Sequence, residues 1–264
     1  MNSSRRPVHV RRPAGGWELL QIAPEVFCAR TPLANWYLLR DGPDLTLIDA
    51  GYPGHGELVL ASVAALGHQP RDVRAVLVTH AHVDHVGGLG AVLRAVPGVP
   101  VLLDPAEVAH ARREHLEQVG VPTVLRQAWR PRVAAWAVRA VRSGGTRDVR
   151  IADAQAFPSP RAGAALDVPG RPVPVPTPGH TSGHSAFLLP DLGVVLTGDA
   201  LVTGHPLSAV EGPQLLRGFF HHDPAATLEA LDVLAAVPAD VIGPGHGAPL
   251  EFPLDRAVAA ARSR

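Results

Sequence analysis

A decapeptide, THAHVDHVGG at residues 79–88, constrains this chain more than any other stretch. It places three histidines and an aspartate within six positions, as His80, His82, Asp84 and His85. A lone histidine is usually a satisfied polar residue, but a cluster this dense points to a bound metal. Imidazole and carboxylate groups together suit zinc and other first-row metals. The decapeptide therefore predicts a metal site.

The local structure around the decapeptide can be predicted from its neighbours. The apolar run Ala75–Val78 predicts a short buried strand. Because side chains alternate faces along a strand, His80 and His82 should point to the same side. Gly87 and Gly88 are expected to let the backbone bend tightly before the next helix.

Composition limits the kind of protein this can be. The 264 residues are 46% hydrophobic and 18% charged, which is typical of a globular chain with a sizeable core. A formal net charge of zero does not favour nucleic acid or an anionic membrane as partner. The single cysteine, Cys28, excludes an internal disulfide and fits a reducing compartment. No apolar run has the length of a membrane span, and no signal peptide is evident, so we expect a cytoplasmic protein.

Strand and helix patterns alternate along the chain, which predicts an α/β architecture with sheets inside and helices outside. We expect a loose arm over residues 1 to about 20 and a loop over 153–170. The predicted strands cover residues 26–29, 36–39, 45–49, 75–78, 99–103, 173–175, 185–189, 193–197 and 241–242, and the predicted helices 57–66, 89–96 and 224–236.

The segment of about residues 104–150 predicts an arginine-rich helical insertion without a core of its own. Pro131 should divide it into at least two helices. Arg132, Arg139 and Arg142 lie away from the apolar face of the second helix. These arginines are either a solvated face or a lid that receives an anionic substrate.

Three further polar residues follow extended segments and sit beside glycine: His180, Asp199 and His246. Individually each is weak evidence. If the strand ends meet at one edge of a sheet, they and the four polar residues of the decapeptide could surround one site.

The motifs His-x-His-x-Asp-His, Thr-Pro-Gly-His, Gly-Asp and Gly-Pro-Gly-His occur in this order over about residues 20–250. With them the chain resembles the metallo-β-lactamase fold hydrolases, in the branch of glyoxalase II and the lactonases. The resemblance implies a four-layer αββα sandwich, with two packed sheets and helices on both outer faces. We expect a single domain over residues 1–264 that carries the helical insertion.

The resemblance also implies two metal ions, zinc by default, although iron or manganese would fit the same ligands. One ion would be held by His80, His82 and His180, the second by Asp84, His85 and His246, with Asp199 bridging both. Asp49 and Thr79 would orient imidazoles by hydrogen bonds, and His184 would brace the site. The loop residues His205, His221 and His222 are candidates for the substrate pocket.

Such a site predicts hydrolysis. Two ions bridged by a carboxylate share a water and lower its pKa, so that hydroxide can attack a polarised carbonyl at neutral pH. Asp84 would be catalytic, orienting this nucleophile and passing a proton to the leaving group. No Gly-x-Ser-x-Gly elbow occurs and no motif surrounds Cys28, which argues against a covalent mechanism.

Differences between this sequence and the patterns of known subfamilies narrow the range of expected substrates. Asp199 counts against β-lactam hydrolysis, the tail after His246 is too short for the helical domain of glyoxalase II, and Tyr37 and Tyr52 give no evident counterpart to the lactonase tyrosine. We therefore expect the substrate to be a small-molecule ester, thioester or lactone, and we expect no nucleic-acid or membrane partner. A homodimer is compatible with the sequence. The alternatives are a phosphodiesterase using the same two metals, a mononuclear iron sulfur dioxygenase, and a non-catalytic metabolite-binding protein.

Overall fold

The computed structural model describes residues 8–11, 16–158 and 163–264, which form two β-sheets with helices outside them. The first sheet, in spatial order, contains β1 Val8–Arg11, β2 Glu18–Ala23, β3 Val26–Arg30, β4 Asn35–Asp41, β5 Asp44–Ile48, β6 Val73–Leu77, β7 Val101–Leu103 and β8 Ala154–Ala156. Strands β1 to β5 pair antiparallel, and β5 to β8 pair parallel.

The second sheet comes from the later part of the chain. It contains β9 Val173–Pro176, β10 Ser185–Leu189, β11 Val194–Gly198, β12 Val241–Pro244 and β13 Leu250–Glu251. The strands lie in the order β13-β12-β11-β10-β9, and β11 and β12 are parallel.

The helices connect these strands and cover both outer faces. They are α1 Gly56–Ala65, α2 Val83–Val86, α3 Leu89–Ala95, α4 Val108–Ala111, α5 Val121–Gln127, α6 Pro131–Arg142, α7 Pro224–Ala235 and α8 Leu254–Arg262. None of the helices in the described residues is long and apolar enough to cross a membrane.

Alternation of side chains along the strands of the first sheet builds the layers. In β4, Trp36 and Leu38 belong to a core shared with α1 and α3, whereas Tyr37 and Leu39 face the second sheet. A further core joins the second sheet to α7 and α8. The predicted αββα sandwich is therefore confirmed.

Two segments predicted to lack regular structure contain strands. Val8–Arg11 and Glu18–Ala23 are paired in the sheet, although an arm was predicted up to about residue 20; residues 1–7 and 12–15 lie outside the described ones. Ala154–Ala156 pairs with β7 inside the predicted loop 153–170. Val8–Arg11 and Ala154–Ala156 are edge strands held through backbone hydrogen bonds, so their side chains need no apolar alternation. Glu18–Ala23 lies inside the sheet and alternates between two cores, but it begins within the predicted arm.

A new helix of the insertion begins at Pro131, as predicted, because Pro131 is the first residue of α6. Val133, Trp136 and Ala140 of α6 pack against Tyr52 and Leu207, next to the predicted metal residues. The insertion therefore shares its core with the edge of the sandwich.

Candidate metal centre

The predicted metal residues come together at one edge of the sandwich. Strands β6, β11 and β12 end at this edge, and the loops that follow them carry all of these residues except His180. The loop between β9 and β10 supplies His180. The seven residues are His80, His82, Asp84, His85, His180, Asp199 and His246. All are buried except Asp84, which is intermediate.

Their potential ligand atoms form three overlapping groups, in each of which the atoms lie within 4.8 Å of one another. The groups are His80 with His82 and His180; His80 with His85 and Asp199; and Asp84 with His85 and His246. The first and last share no residue, while the middle one shares His80 with the first and His85 with the last and adds Asp199. Each group could therefore hold a metal ion, and Asp199 contributes the carboxylate of the middle group.

Each imidazole of the cluster has its outer nitrogen held by a partner. Nδ1 of His80 lies 3.1 Å from Thr79 Oγ1, Nδ1 of His85 lies 2.8 Å from Asp49 Oδ2, and Nδ1 of His246 lies 2.7 Å from the Leu33 carbonyl oxygen. The oxygens accept in all three bonds. Asp49 offers a carboxylate oxygen, Leu33 offers a carbonyl oxygen, and the Thr79 hydroxyl accepts because it donates its own proton to Asp49. In the neutral form of each ring, the lone pair that a metal needs therefore lies on the inner Nε2.

The two remaining imidazoles are fixed by the insertion and by the 216–222 loop. Nε2 of His82 donates to the carbonyl oxygen of Glu117 at 2.8 Å, which leaves Nδ1 facing inward. Nε2 of His221 donates to the Leu216 carbonyl at 3.1 Å, so its Nδ1 can accept from Nδ1 of His180, 3.4 Å away. His180 thus also presents an unprotonated Nε2.

The inward atoms fit a divalent cation. Nε2 of His80, Nε2 of His85 and Oδ1 of Asp199 are buried and have no hydrogen-bond partner in the part of the chain described. Nε2 of His180 lies 3.0 Å from Nδ1 of His82, although the outer bonds give both atoms lone pairs. Two lone pairs at that distance repel unless a proton or a metal ion lies between them.

The imidazoles of the cluster are grouped around the carboxylate of Asp199. Its Oδ2 lies 3.2 Å from His246 Nε2 and 3.4 Å from His180 Nε2, and its Oδ1 lies 3.4 Å from His85 Nε2. Burial alone would raise the pKa of this carboxyl, but without a metal ion the positive charge of protonated His246 and His85 holds it well below its usual range. Asp199 therefore stays charged and can act as a metal ligand.

Asp49 and Thr79 lie directly behind the cluster, where the sequence places them. The Asp49 carboxylate accepts from the Thr79 backbone N–H at 2.9 Å and from its hydroxyl at 2.8 Å, in addition to His85. Asp49 has a left-handed backbone (φ +59°), a conformation that aspartate and asparagine tolerate better than most residues. The Asp49 carboxylate thus orients two imidazoles, that of His85 directly and that of His80 through Thr79.

His184 lies behind Asp199 and does not face the other ligands with a free nitrogen. Its Nδ1 lies 2.8 Å from the Thr177 hydroxyl, and its Nε2 accepts from the backbone N–H of Asp199 at 3.0 Å. Burial lowers the pKa of His184 to about 4, which keeps the ring neutral and Nε2 able to accept.

Glu107 is a site residue that the sequence analysis missed. Its buried carboxylate accepts from the Ala81 backbone N–H at 2.7 Å, from the Thr181 hydroxyl at 2.8 Å and from the Gly183 N–H at 3.1 Å. His110, one helical turn later, lies 2.8 Å away. Glu107 thus ties the loop between His80 and His82 to the loop after His180. The available signal was the Glu-x-x-His spacing, which places both side chains on one helix face.

The glycines of the decapeptide serve a different purpose from the one predicted. Gly87 and Gly88 both have helical backbone dihedrals, so no special backbone freedom is needed. A Cβ on Gly88 would overlap the Ala50 carbonyl oxygen, and one on Gly87 would overlap Pro53. They are small because α2 packs directly against the loop after β5.

A cavity of about 540 Å³ opens over the cluster and contacts Asp84, His180, Asp199 and His246. Of the candidate pocket histidines, His205 lines it. His221 lies behind His180 instead, and His222 is half exposed with its Nε2 4.0 Å from Glu117. The three histidines therefore lie in three different environments, although His221 and His222 are adjacent in the sequence.

Tyr52 also lines this cavity, although its place before the first motif suggested no role. It sits under Gly145, where a Cβ would approach its ring to 3.1 Å. Burial, reinforced by the carboxylates of Asp84 and Asp199, raises the pKa of Tyr52 well above its usual value. The phenol therefore stays protonated beside the cluster.

The arginines of the insertion largely face away from the cavity. Arg132, Arg139 and Arg142 are exposed and do not line it, which agrees with a solvated face rather than a lid. Arg113 does line it but donates to the carbonyls of Ala81 and His110, at 3.0 and 3.2 Å. Its charge is thus directed into the protein.

Comparison with known proteins places this centre in a family. The model described as the metallo-beta-lactamase superfamily matches residues 30–246. YobT, an uncharacterized protein of Bacillus subtilis, is 27% identical over 84% of this chain and 86% of its own length. A hydroxyacylglutathione hydrolase of Cupriavidus taiwanensis is 32% identical over 77% of this chain, which spans 59% of that protein. A solved metallo-beta-lactamase family protein of Thermus thermophilus has a TM-score of 0.62 at 25% identity, covering 91% of this chain and 79% of its own.

Proposed function

Because this chain belongs to the metallo-beta-lactamase superfamily and is a metal-dependent hydrolase, we propose that it uses two metal ions to cleave an ester, thioester or lactone bond of a small molecule. The position of Asp199 between two sets of ligand atoms supports the two-ion site. When bound, such ions supply a Lewis acid for a carbonyl and a hydroxide nucleophile at neutral pH. The mixed imidazole and carboxylate ligands make zinc the first candidate.

Asp84 is the proposed proton carrier. Its Oδ2 lies 3.5 Å from Nε2 of His246, its side chain is 18% exposed, and it borders the cavity. In the reaction a C–O bond forms between hydroxide and the acyl carbon, and the C–O or C–S bond to the leaving group breaks. Asp84 takes the proton from the attacking oxygen and gives it to the leaving oxygen or sulfur.

Tyr52 is the proposed hydrogen-bond donor beside Asp84. Because its raised pKa keeps the phenol neutral, it can donate to the Asp84 carboxylate or to a substrate oxygen, and it adds no negative charge to the site. Trp136 and Gly145 cover its ring and limit its movement.

Phosphodiester hydrolysis is less well supported. Besides the metal ions, a phosphate group is well held by arginine or lysine donors that are free at the reacting centre. In residues 104–150, all of which the structure describes, the arginines that line the cavity are Arg113, already bonded to carbonyl oxygens, and Arg147, which is exposed at its rim.

The test combines metal content with a substrate panel. We expect about two zinc ions per chain in the wild type and fewer in Asp199→Ala, with no change in Asp191→Ala, whose carboxylate is on the surface. The zinc protein should hydrolyse a p-nitrophenyl ester, a thioester or a lactone. Cleavage of bis-p-nitrophenyl phosphate alone would contradict the proposal, as would a single iron per chain with oxidation of a persulfide.

A further inference from the structure

The cavity over the metal centre is polar at its floor and apolar on its walls. The floor consists of the cluster itself. The walls are formed by the insertion, by the 205–220 loop facing it and by the start of α2. They include Val83, Val124, Leu125, Trp136, Leu216 and Phe220. Its volume of about 540 Å³ lies within the usual range for small-molecule sites.

The polar groups of the walls are mostly engaged with the protein itself. The side-chain oxygen of Gln118 accepts from the Val83 backbone N–H at 3.3 Å, and Nδ1 of His205 accepts from the Leu207 N–H at 3.2 Å. Arg113 is bonded to two carbonyl oxygens and lies 3.3 Å from Asp148. Away from the cluster, a bound molecule therefore meets mainly hydrocarbon, with Arg147 and Asp148 at the rim.

The walls also expose apolar surface that the fold leaves uncovered. Leu116, Val121, Leu125 and Val141 all border the cavity and are between 54% and 66% exposed. Apolar side chains concentrated at the mouth of a cavity are typical of ligand sites. They continue the apolar wall from the reacting centre to the outside, as an elongated hydrocarbon would require.

From this arrangement we propose that the substrate carries an aliphatic acyl chain that lies along the insertion wall, with its ester or thioester carbonyl at the metal cluster. This inference rests on the proposed hydrolase function and specifies its substrate class. Each buried methylene should add the transfer free energy of a CH₂ group, which raises kcat/KM about three- to fourfold. Between acetyl and octanoyl substrates the increase should reach at least about 100-fold if four methylenes are buried.

The activity test uses thioesters with one small polar leaving group, N-acetylcysteamine, and acetyl, butyryl, hexanoyl, octanoyl and phenylacetyl chains. The zinc-loaded protein should prefer octanoyl. In the double variant Leu116→Gln/Leu125→Gln the octanoyl-to-acetyl ratio of kcat/KM should fall about tenfold or more, because two wall contacts become polar. Leu228→Gln, a matched change of an exposed leucine on α7, should keep the wild-type ratio.

A binding test separates this inference from the proposed function. Calorimetric titration of the zinc-loaded protein should give tighter binding for octanoate than for acetate, and the double variant should reduce the difference. Equal kcat/KM for acetyl and octanoyl thioesters, or a preference for phenylacetyl, would overturn the aliphatic chain while leaving the hydrolase intact. Failure to cleave any ester, thioester or lactone would overturn the hydrolase, and octanoate binding would then decide alone whether the wall accepts a chain.

Discussion

The floor and the wall of the cavity are built by opposite means. On the floor, the five metal-facing imidazoles each have a partner on the outer nitrogen, and the carboxylates of Asp49 and Glu107 each bond to several groups around them. On the wall, side chains such as Leu116 and Leu125 contribute apolar surface without polar contacts and are more than half exposed. The floor is therefore specified atom by atom, whereas the wall is specified by shape and hydrophobicity.

This contrast says which kind of substitution each region tolerates. A buried, hydrogen-bonded polar group cannot be removed without leaving its partners unsatisfied in a low-dielectric environment. An exposed apolar residue leaves nothing unsatisfied, so its replacement changes what binds and not whether the protein folds. The predictions below test this difference.

The largest effect is expected at the reacting centre. Asp84→Asn keeps the size of the side chain but removes its ability to carry a proton. We expect kcat to fall by about 10²- to 10⁴-fold. Metal content should be measured alongside, because a loss of activity that simply follows a loss of metal would indicate a ligand role without proton transfer.

The next effect concerns Glu107 and pH. Burial opposes its charge, but His110 and the Ala81 and Thr181 donors lower the pKa of Glu107 to about 2, from an ordinary 4.5. Because the folded-state pKa is depressed, the stabilisation is complete above about pH 4.5 and is lost as the pH falls towards 2. The contribution is about 3 kcal/mol.

Urea unfolding of the metal-free protein can measure it. The difference in unfolding free energy between wild type and Glu107→Gln should be largest near neutral pH and shrink below pH 4.5. Glu114→Gln, an exposed change in the same insertion, is the control. A wild-type-to-variant difference that does not vary with pH would contradict this role.

A smaller effect is expected for the orientation of the ligands. Asp49→Asn tolerates the left-handed backbone but replaces a charged acceptor behind His85 with a neutral amide. Affinity for zinc, measured by competition with a chelating dye, should fall about 10- to 100-fold. Asp191→Asn should match the wild type, and an unchanged affinity in Asp49→Asn would show that the outer bond does not tune the site.

The smallest effect is expected on the wall. Leu116→Gln and Leu125→Gln should each change the unfolding free energy by no more than about 0.5 kcal/mol, because both side chains are mostly exposed. Leu77→Ala, in the fully buried core between the sheets, should cost about 2–5 kcal/mol. Comparable losses would mean that the wall is part of the core.

The same contrast decides what the sequence could predict. The metal-facing residues lie at strand ends beside glycine, in short motifs that are local in sequence, and the structure brings all seven together. Thr79 and Asp49 were predicted as supports, but other supports are distant: the Leu33 carbonyl lies 213 residues from His246, and Glu117 lies 35 residues from His82. No local pattern marks a backbone carbonyl as a partner, so this half of the site needs the fold.

The fold itself was predictable where burial imposes a period. Most inner strands alternate between two cores and were recognised, while β1 and β8, held at the edges by backbone bonds, were not. The inner strand β2 was also missed, although Leu19 and Leu20 face different cores. Tyr52 was passed over for a similar reason, since a tyrosine near the end of a strand gives no indication that α6 will fold over it.

Residues 116–118 belong to both regions at once, and this has a thermodynamic consequence. Leu116 and Gln118 line the cavity, and the carbonyl of Glu117 between them holds His82. A ligand that displaces this segment would also move the hydrogen-bond partner of His82, a proposed metal ligand. Binding of the ligand and binding of the metal ion would then be linked. Linkage is reciprocal: whatever factor the ion contributes to the affinity for the chain, the chain contributes to the affinity for the ion. Substrate length would then be one determinant of how firmly the enzyme keeps its metal.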